Sequence, residues 1–317
     1  MRILLAIDGS APAGRARDLV DHLEWPDGTL IRVVAALGRA SDLVGLPGLE
    51  RTTDPRDIET SLVRQLQDAL DAAVVQLEGP GRTVERVLLR GRTAGAIVDE
   101  AGDLGADLIV LGNRGHGAIG PMLLGSVSAE VVDHAPCPVL VARCDDVGSI
   151  LLAMDGSETS EHAERTLIDW PVFRGHPVRV VSVAEVGIPW SMGMAPGIYD
   201  QVMESYTSAV DEARLQCRAF AETSSGRLAE AGYQATPEVR EGSAAAELVE
   251  AAKARECDLI VIGTRGHTGL ARLVLGSVAR NVLVHAPCSV LVVREKARVE
   301  PVDEGAEGDA AAEVGHS

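Results

Sequence analysis

"GNRGHGAIGPMLLGS", residues Gly112–Ser126, returns later in the chain as "GTRGHTGLARLVLGS", residues Gly263–Ser277. The middle of the stretch changes freely. The glycines, the closing serine and the Arg-Gly-His keep their places, 151 positions apart. Working outward, Asp107–Arg143 aligns without gaps on Asp258–Arg294, with 21 of 37 positions identical. "ILLAIDGS" (Ile3–Ser10) likewise pairs with "ILLAMDGS" (Ile150–Ser157), at an offset of 147. The offset grows by four between the second and third apolar runs, where a loop and a long helix vary. This is a tandem duplication with its junction near Asp145–Ser149. It divides the chain into a first domain, 1–145, a second, 148–294, and a tail, 295–317.

Each half alternates short apolar runs with helical patterns. In the first, strands are expected at Arg2–Ile7, Leu30–Ala36, Thr83–Arg90, Leu108–Gly112 and Pro138–Arg143. Helices fall between them, near Pro12–Glu24, Asp57–Glu78, Thr93–Leu104 and Ser126–His134. Leu62, Leu66, Ala69, Leu70, Ala73 and Leu77 share one helical stripe, as do Ile97, Ala101 and Leu104. The second half repeats the strands near Ser149–Met154, Val178–Ala184, Gln234–Glu241, Leu259–Gly263 and Ser289–Arg294. Strand-helix alternation with right-handed crossovers makes each half a five-stranded, parallel, doubly wound α/β domain of Rossmann-like type. The expected strand order is 3-2-1-4-5. The tail has seven acids, two bases and no apolar period, a composition expected to stay disordered.

Composition narrows the function. The hydrophobic fraction of 46% suffices for two cores, and aromatic residues are only 3%, so Val, Leu, Ile and Ala must fill them. A formal net charge of −18 lacks the basic footprint of a nucleic-acid binder or a binder of anionic membranes. No apolar run approaches the length of a membrane span, and the first residues read as a strand rather than a signal peptide. Five cysteines, odd in number and without a CxxC, suit small buried side chains in a reducing compartment, so a cytoplasmic location is expected.

In an open parallel sheet, ligands bind beyond the carboxyl ends of the strands where strand order reverses, here between strands one and four. Asp8-Gly9-Ser10 closes strand one and Gly112-Asn113-Arg114-Gly115 closes strand four, so two marked loops face one crevice. The pattern G-x2-G-x9-G-[ST] suits phosphate. Gly112 and Gly115 keep Cβ atoms away from main-chain N–H groups. Gly125-Ser126 opens a helix whose free N–H groups and positive end favour an anion. Ser126 either caps that helix or gives its hydroxyl to a phosphate oxygen. Gly263, Gly266, Gly276 and Ser277 repeat every part. The bland alternative is a set of turns and a cap, and two complete copies favour phosphate. Asp8 and Asp155 either contact a ribose, a base edge or a phosphate-held metal, or cap the next helix. Arg114 and Arg265 neutralise phosphate or stand as solvated loop arginines. His116 and His267 lack an identifiable partner acid, while His134 and His285 suit a role at a helix end. "VGIPWSMGMAPG" (Val186–Gly197) reads as a lid, a partner loop or a packed connector.

These residues resemble the universal stress protein family, in its ATP-binding, tandem-domain branch. The resemblance rests on "DGS" after strand one, G-x2-G-x9-G-S after strand four, and "HAPCPVLV" or "HAPCSVLV" entering strand five. It implies ATP as ligand, often with Mg2+ or another divalent cation. Asp8 and Asp155 would then approach adenine or ribose. Gly112, Gly115, Gly125, Ser126 and Val127, with Gly263, Gly266, Gly276, Ser277 and Val278, would hold ribose and phosphates. The family's main-chain contact to adenine falls at Ala36 and Val183, and Ala36 departs from the usual valine. Strand five is apolar yet sits at an edge, which needs covering. Pairing the two fifth strands within one chain, as family dimers do between chains, would cover both, and two such chains can then form a homodimer. The implied role is a nucleotide-dependent stress-response regulator acting through a protein partner that the sequence does not name. The alternative is a slow ATPase or nucleotide-transferring enzyme. The chain lacks a Walker A lysine, a pyrophosphate loop and an evident general base.

Overall fold

A computed structural model of the chain describes residues 1–38, 55–114, 124–187, 196–264 and 275–294. The first half runs β1 (Arg2–Ala6), α1 (Ala11–His22), β2 (Thr29–Leu37), α2 (Pro55–Leu77), β3 (Arg82–Arg90), α3 (Thr93–Leu104), β4 (Leu108–Gly112), α4 (Ser126–His134) and β5 (Val139–Ala142). The second runs β6 (Ile150–Ala153), α5 (Glu158–Asp169), a 3-10 turn (Pro171–Phe173), β7 (Val178–Ala184) and α6 (Pro196–Glu230). It closes with β8 (Ala235–Glu241), α7 (Ala244–Ala254), β9 (Leu259–Gly263), α8 (Ser277–His285) and β10 (Ser289–Val293). Expected and observed boundaries agree to within two residues in the first half. The tail and most of Val186–Gly197 lie outside the described residues.

Each half has the expected order 3-2-1-4-5, with every pairing inside a half parallel. The two sheets are not separate. They fuse into one ten-stranded sheet, because β5 pairs antiparallel with β10 through Val139, Leu140 and Val141 against Val292, Leu291 and Val290. The apolar fifth strands thus cover each other's edges. The outer edges, β3 and β8, carry charge instead: Arg32 bridges Glu85 at 2.7 Å and Glu100 at 2.8 Å, and Arg240 bridges Glu238 at 2.9 Å.

Strands β4, β5, β9 and β10 are buried along their whole length, which explains their unbroken apolar runs. Side chains alternate between two cores. Ile3, Leu5 and Val110 face α1 and α2, where Leu66, Leu70, Ala73 and Leu77 are buried as their stripe requires. Leu4, Ile109 and Val139 face α3 and α4 through Ile97, Ala101 and Val131. Both cores run on through the seam into the second half.

At that seam the halves exchange arginines. Arg143, just past β5, donates to the carbonyl of Leu283 at 2.5 Å, in the last turn of α8, and to that of Cys288 at 3.3 Å, just before β10. Arg294, just past β10, donates to Ala135 at 2.7 Å and to Val132, at the C-terminal end of α4. Each guanidinium meets last-turn carbonyls that the helix itself leaves unbonded, and its charge complements the negative helix end. Arg280 on α8 adds an ion pair with Asp133 on α4 at 2.7 Å.

Candidate functional site

Strands β1 and β4 are neighbours, and their carboxyl ends diverge into loops that run to opposite faces of the sheet. A cavity of about 290 Å³ opens there. Asp8, Ala36, Gly112, Arg114, Gly125, Ser126 and Val127 all line it. Seven of the eight residues singled out in the first half therefore meet at one place. The eighth, Gly115, lies outside the described residues, as do His116, Arg265, Gly266 and His267.

Geometry revises the reasons for several of them. Gly112 ends β4, and a Cβ there would sit 2.6 Å from the main-chain carbonyl carbon of Pro12 and 2.9 Å from the Ala13 nitrogen. Gly263 repeats this against Thr159, at 2.6 Å from its carbonyl oxygen. Both glycines permit the close approach of α1 or α5 to the sheet. Gly125, rather than Ser126, is the N-cap of α4, and the cap residue makes no side-chain hydrogen bond. Gly276 does the same for α8. Ser126 is thus the first helical residue and lines the cavity without capping.

Asp8 is not a cap either. Its carboxylate accepts the Ser10 N–H at 2.9 Å, and Ser10 caps α1 by accepting the Ala13 N–H at 3.4 Å. Gly9 between them has φ +80°, a conformation that favours glycine. "DGS" is therefore a turn and cap that fixes Asp8 at the crevice. In the second half Ser157 binds Asp155 twice, through N–H at 3.0 Å and Oγ at 2.5 Å, and caps α5.

Ala36 lies inside β2, one residue before its end. Val34 gives its carbonyl to the Ile7 N–H at 2.8 Å, while Leu37 gives its carbonyl to Gly91 at 3.2 Å. Because main-chain groups alternate in direction along a strand, those of Ala36 turn toward β1, beyond its last paired residue. The same holds at Val183, since Val181 gives its carbonyl to Met154 at 2.9 Å and Ala184 gives its own to Gly242 at 3.2 Å.

The lining also includes residues outside the repeated motifs, among them Thr93, Ile97 and Ser128. Thr93 and Ile97 come from the first turns of α3, and Ser128 donates its hydroxyl to the Gly112 carbonyl at 2.8 Å. The N-cap of α3 is Arg92, again with no side-chain cap. Two helix N-termini without side-chain caps therefore converge on the cavity beside Arg114.

The universal stress protein family model matches residues 1–143 and again residues 147–294. The chain belongs to that family. A universal stress protein of Thermus aquaticus is 40% identical over 141 residues, covering 44% of this chain and 97% of its own length. One of Mycolicibacterium smegmatis is 31% identical over 234 residues, covering 69% and 71%. The crystal structure of a universal stress protein from Archaeoglobus fulgidus covers 92% of this chain and 98% of its own, with a TM-score of 0.63 at 17% identity. That likeness supports the tandem fold.

Around this universal stress protein site, electrostatics follow burial. Burial, aided by the Arg114 charge alongside, pushes the Arg143 pKa down. Burial pushes the Cys288 thiol up to about 12. Four of the five cysteines are buried and Cys144 is half-buried. His134 and His285 sit at helix ends with Nδ1 2.9 Å from the carbonyls of Glu130 and Asn281. Among the described residues no helix is long and apolar enough to cross a membrane. No group of three metal-ligating side chains gathers there either.

Proposed function

We propose that this protein binds ATP, one molecule in each half, and acts as a nucleotide-dependent stress-response regulator through partner interactions. The observation that carries this is the meeting of two helix N-termini without side-chain caps and Arg114 on one cavity. Free N–H groups and the positive helix ends supply donors and charge for phosphate oxygens without any lysine.

In the first half, Gly112, Arg114, Gly115, Gly125, Ser126 and Val127 hold phosphates and ribose, with Asp8 toward the sugar or base. Ala36 offers main-chain groups to the base edge. In the second, Asp155, Val183, Gly263, Arg265, Gly266, Gly276, Ser277 and Val278 do the same. Asp8 is the sole carboxylate among the described cavity-lining residues. That fits Mg2+, which keeps several waters and needs one or two carboxylates beside the phosphates, not a cage of protein ligands. The two halves act as domains 1–145 and 148–294 in a cytoplasmic protein, and two chains associate as a homodimer.

Calorimetric titration with ATP tests the placement. Ser126→Asp puts a carboxylate where a phosphate would lie, and should weaken one site at least about tenfold by like-charge repulsion. Ser126→Asp with Ser277→Asp should remove both sites. Unchanged binding in the double variant contradicts the placement.

A further inference from the structure

The first-half cavity has a direction. Strand order places β2 and the N-terminus of α3 on one side of β1, and β4 with the N-terminus of α4 on the other. Arg114, Gly125 and Ser126 occupy the β4 side, and Ala36, Thr93 and Ile97 occupy the β2 side. A nucleotide with its phosphates against α4 therefore lays its base against Ala36, Ile97 and Thr93. Ile97 offers an apolar wall, and the Ala36 main chain faces the crevice. Thr93 is the first residue of α3 and lines the cavity half-buried, bringing a side-chain hydroxyl to this end.

The duplication removes that hydroxyl from the other half. "GRTAGAI" (Gly91–Ile97) aligns with "GSAAAEL" (Gly242–Leu248), so Ala244 stands at the place of Thr93. Ala244 opens α7 as Thr93 opens α3, and Leu248 takes the place of Ile97. At the equivalent of Ala36 the second half has the bulkier Val183. At the positions aligned with the base end, the second half thus has an alanine where the first has a hydroxyl, and a valine where the first has an alanine.

We propose that Thr93 is a base-contacting specificity residue confined to the first-half site, so that the two sites of one chain bind ATP with unequal affinity. This rests on the ATP-binding reading of the crevice. A hydroxyl both donates and accepts, so it can meet the edge of an adenine at either kind of group. Its loss acts on nucleotides but not on a ligand that is phosphate alone.

The test is calorimetric titration of the full chain with ATP and with inorganic tripolyphosphate. Thr93→Val keeps the side chain's shape and removes its hydroxyl. It should weaken the tighter ATP site about fivefold, the worth of one neutral hydrogen bond, and leave tripolyphosphate unchanged. Thr93→Ser should retain the wild-type ATP affinity, and Ala244→Thr should tighten the weaker site. Equal loss of both ligands in Thr93→Val, or loss of neither, overturns the proposal while leaving ATP binding intact. A wild-type chain that binds no ATP overturns the reading of the crevice itself, and this proposal with it.

Discussion

The Arg143 guanidinium donates to the Leu283 carbonyl at 2.5 Å, joining residues 140 positions apart. Arg294 returns the contact to Val132, so each half closes the C-terminal end of a helix belonging to the other. The helices concerned, α8 and α4, are those whose N-termini open the two crevices. The seam and the sites are thus built on the same two short helices.

Replacing Arg143 with leucine strands the Leu283 and Cys288 carbonyls in a largely buried seam. The expected loss is about 2 kcal/mol of stability, the range for hydrogen bonds to a charged group. Arg294→Leu should cost a similar amount. Urea denaturation measures both, and a change within experimental error in each would show that the exchanged caps contribute nothing.

The glycines of the repeated stretch make a second prediction. Gly112→Ala places a Cβ against the main chain of Pro12, which cannot rotate away, and should destabilise by about 2 kcal/mol. Gly14→Ala, inside α1 with nothing within 4 Å of the new Cβ, should stabilise by about 0.5 kcal/mol. Thermal melting of the pair distinguishes a packing glycine from an idle one. A neutral Gly112→Ala contradicts the close approach.

Much of this was legible in the chain. The duplication set strand order twice, and the apolar fifth strands announced their need for a partner. What was not legible turned on distance through space. "DGS" looks like a cap at Asp8, yet the cap is Ser10, because Gly9 adopts a left-handed turn before the helix begins. Gly112 looks like ligand clearance because nothing local reveals that α1 passes over it. Arg143 and Arg294 carry no motif, since their acceptors are main-chain carbonyls in the other half. Thr93 had a usable signal: it opens the helix after β3, beside the carboxyl end of β2.

Cys288 supplies a dependence on pH. Its thiol is pushed up to about 12 by burial, and an unfolded thiol titrates near 8.5. The raised value means its contribution is complete below about pH 8.5 and is lost as pH climbs toward 12, because the unfolded chain releases the proton first. Tyr233 and Cys257, raised by burial, act in the same direction. Stability should therefore fall between about pH 9 and 11, and Cys288→Ala should flatten that decline. Denaturation midpoints across the range check it, and an unaltered slope in Cys288→Ala removes Cys288 as a cause.

The double nucleotide site is measured by denaturing the purified protein, identifying and counting any nucleotide released, and titrating the stripped, refolded chain with ATP. Adenine nucleotide approaching two molecules per chain, or uptake to that stoichiometry on titration, is the expected result. No nucleotide released, and no ATP bound on titration, would contradict it.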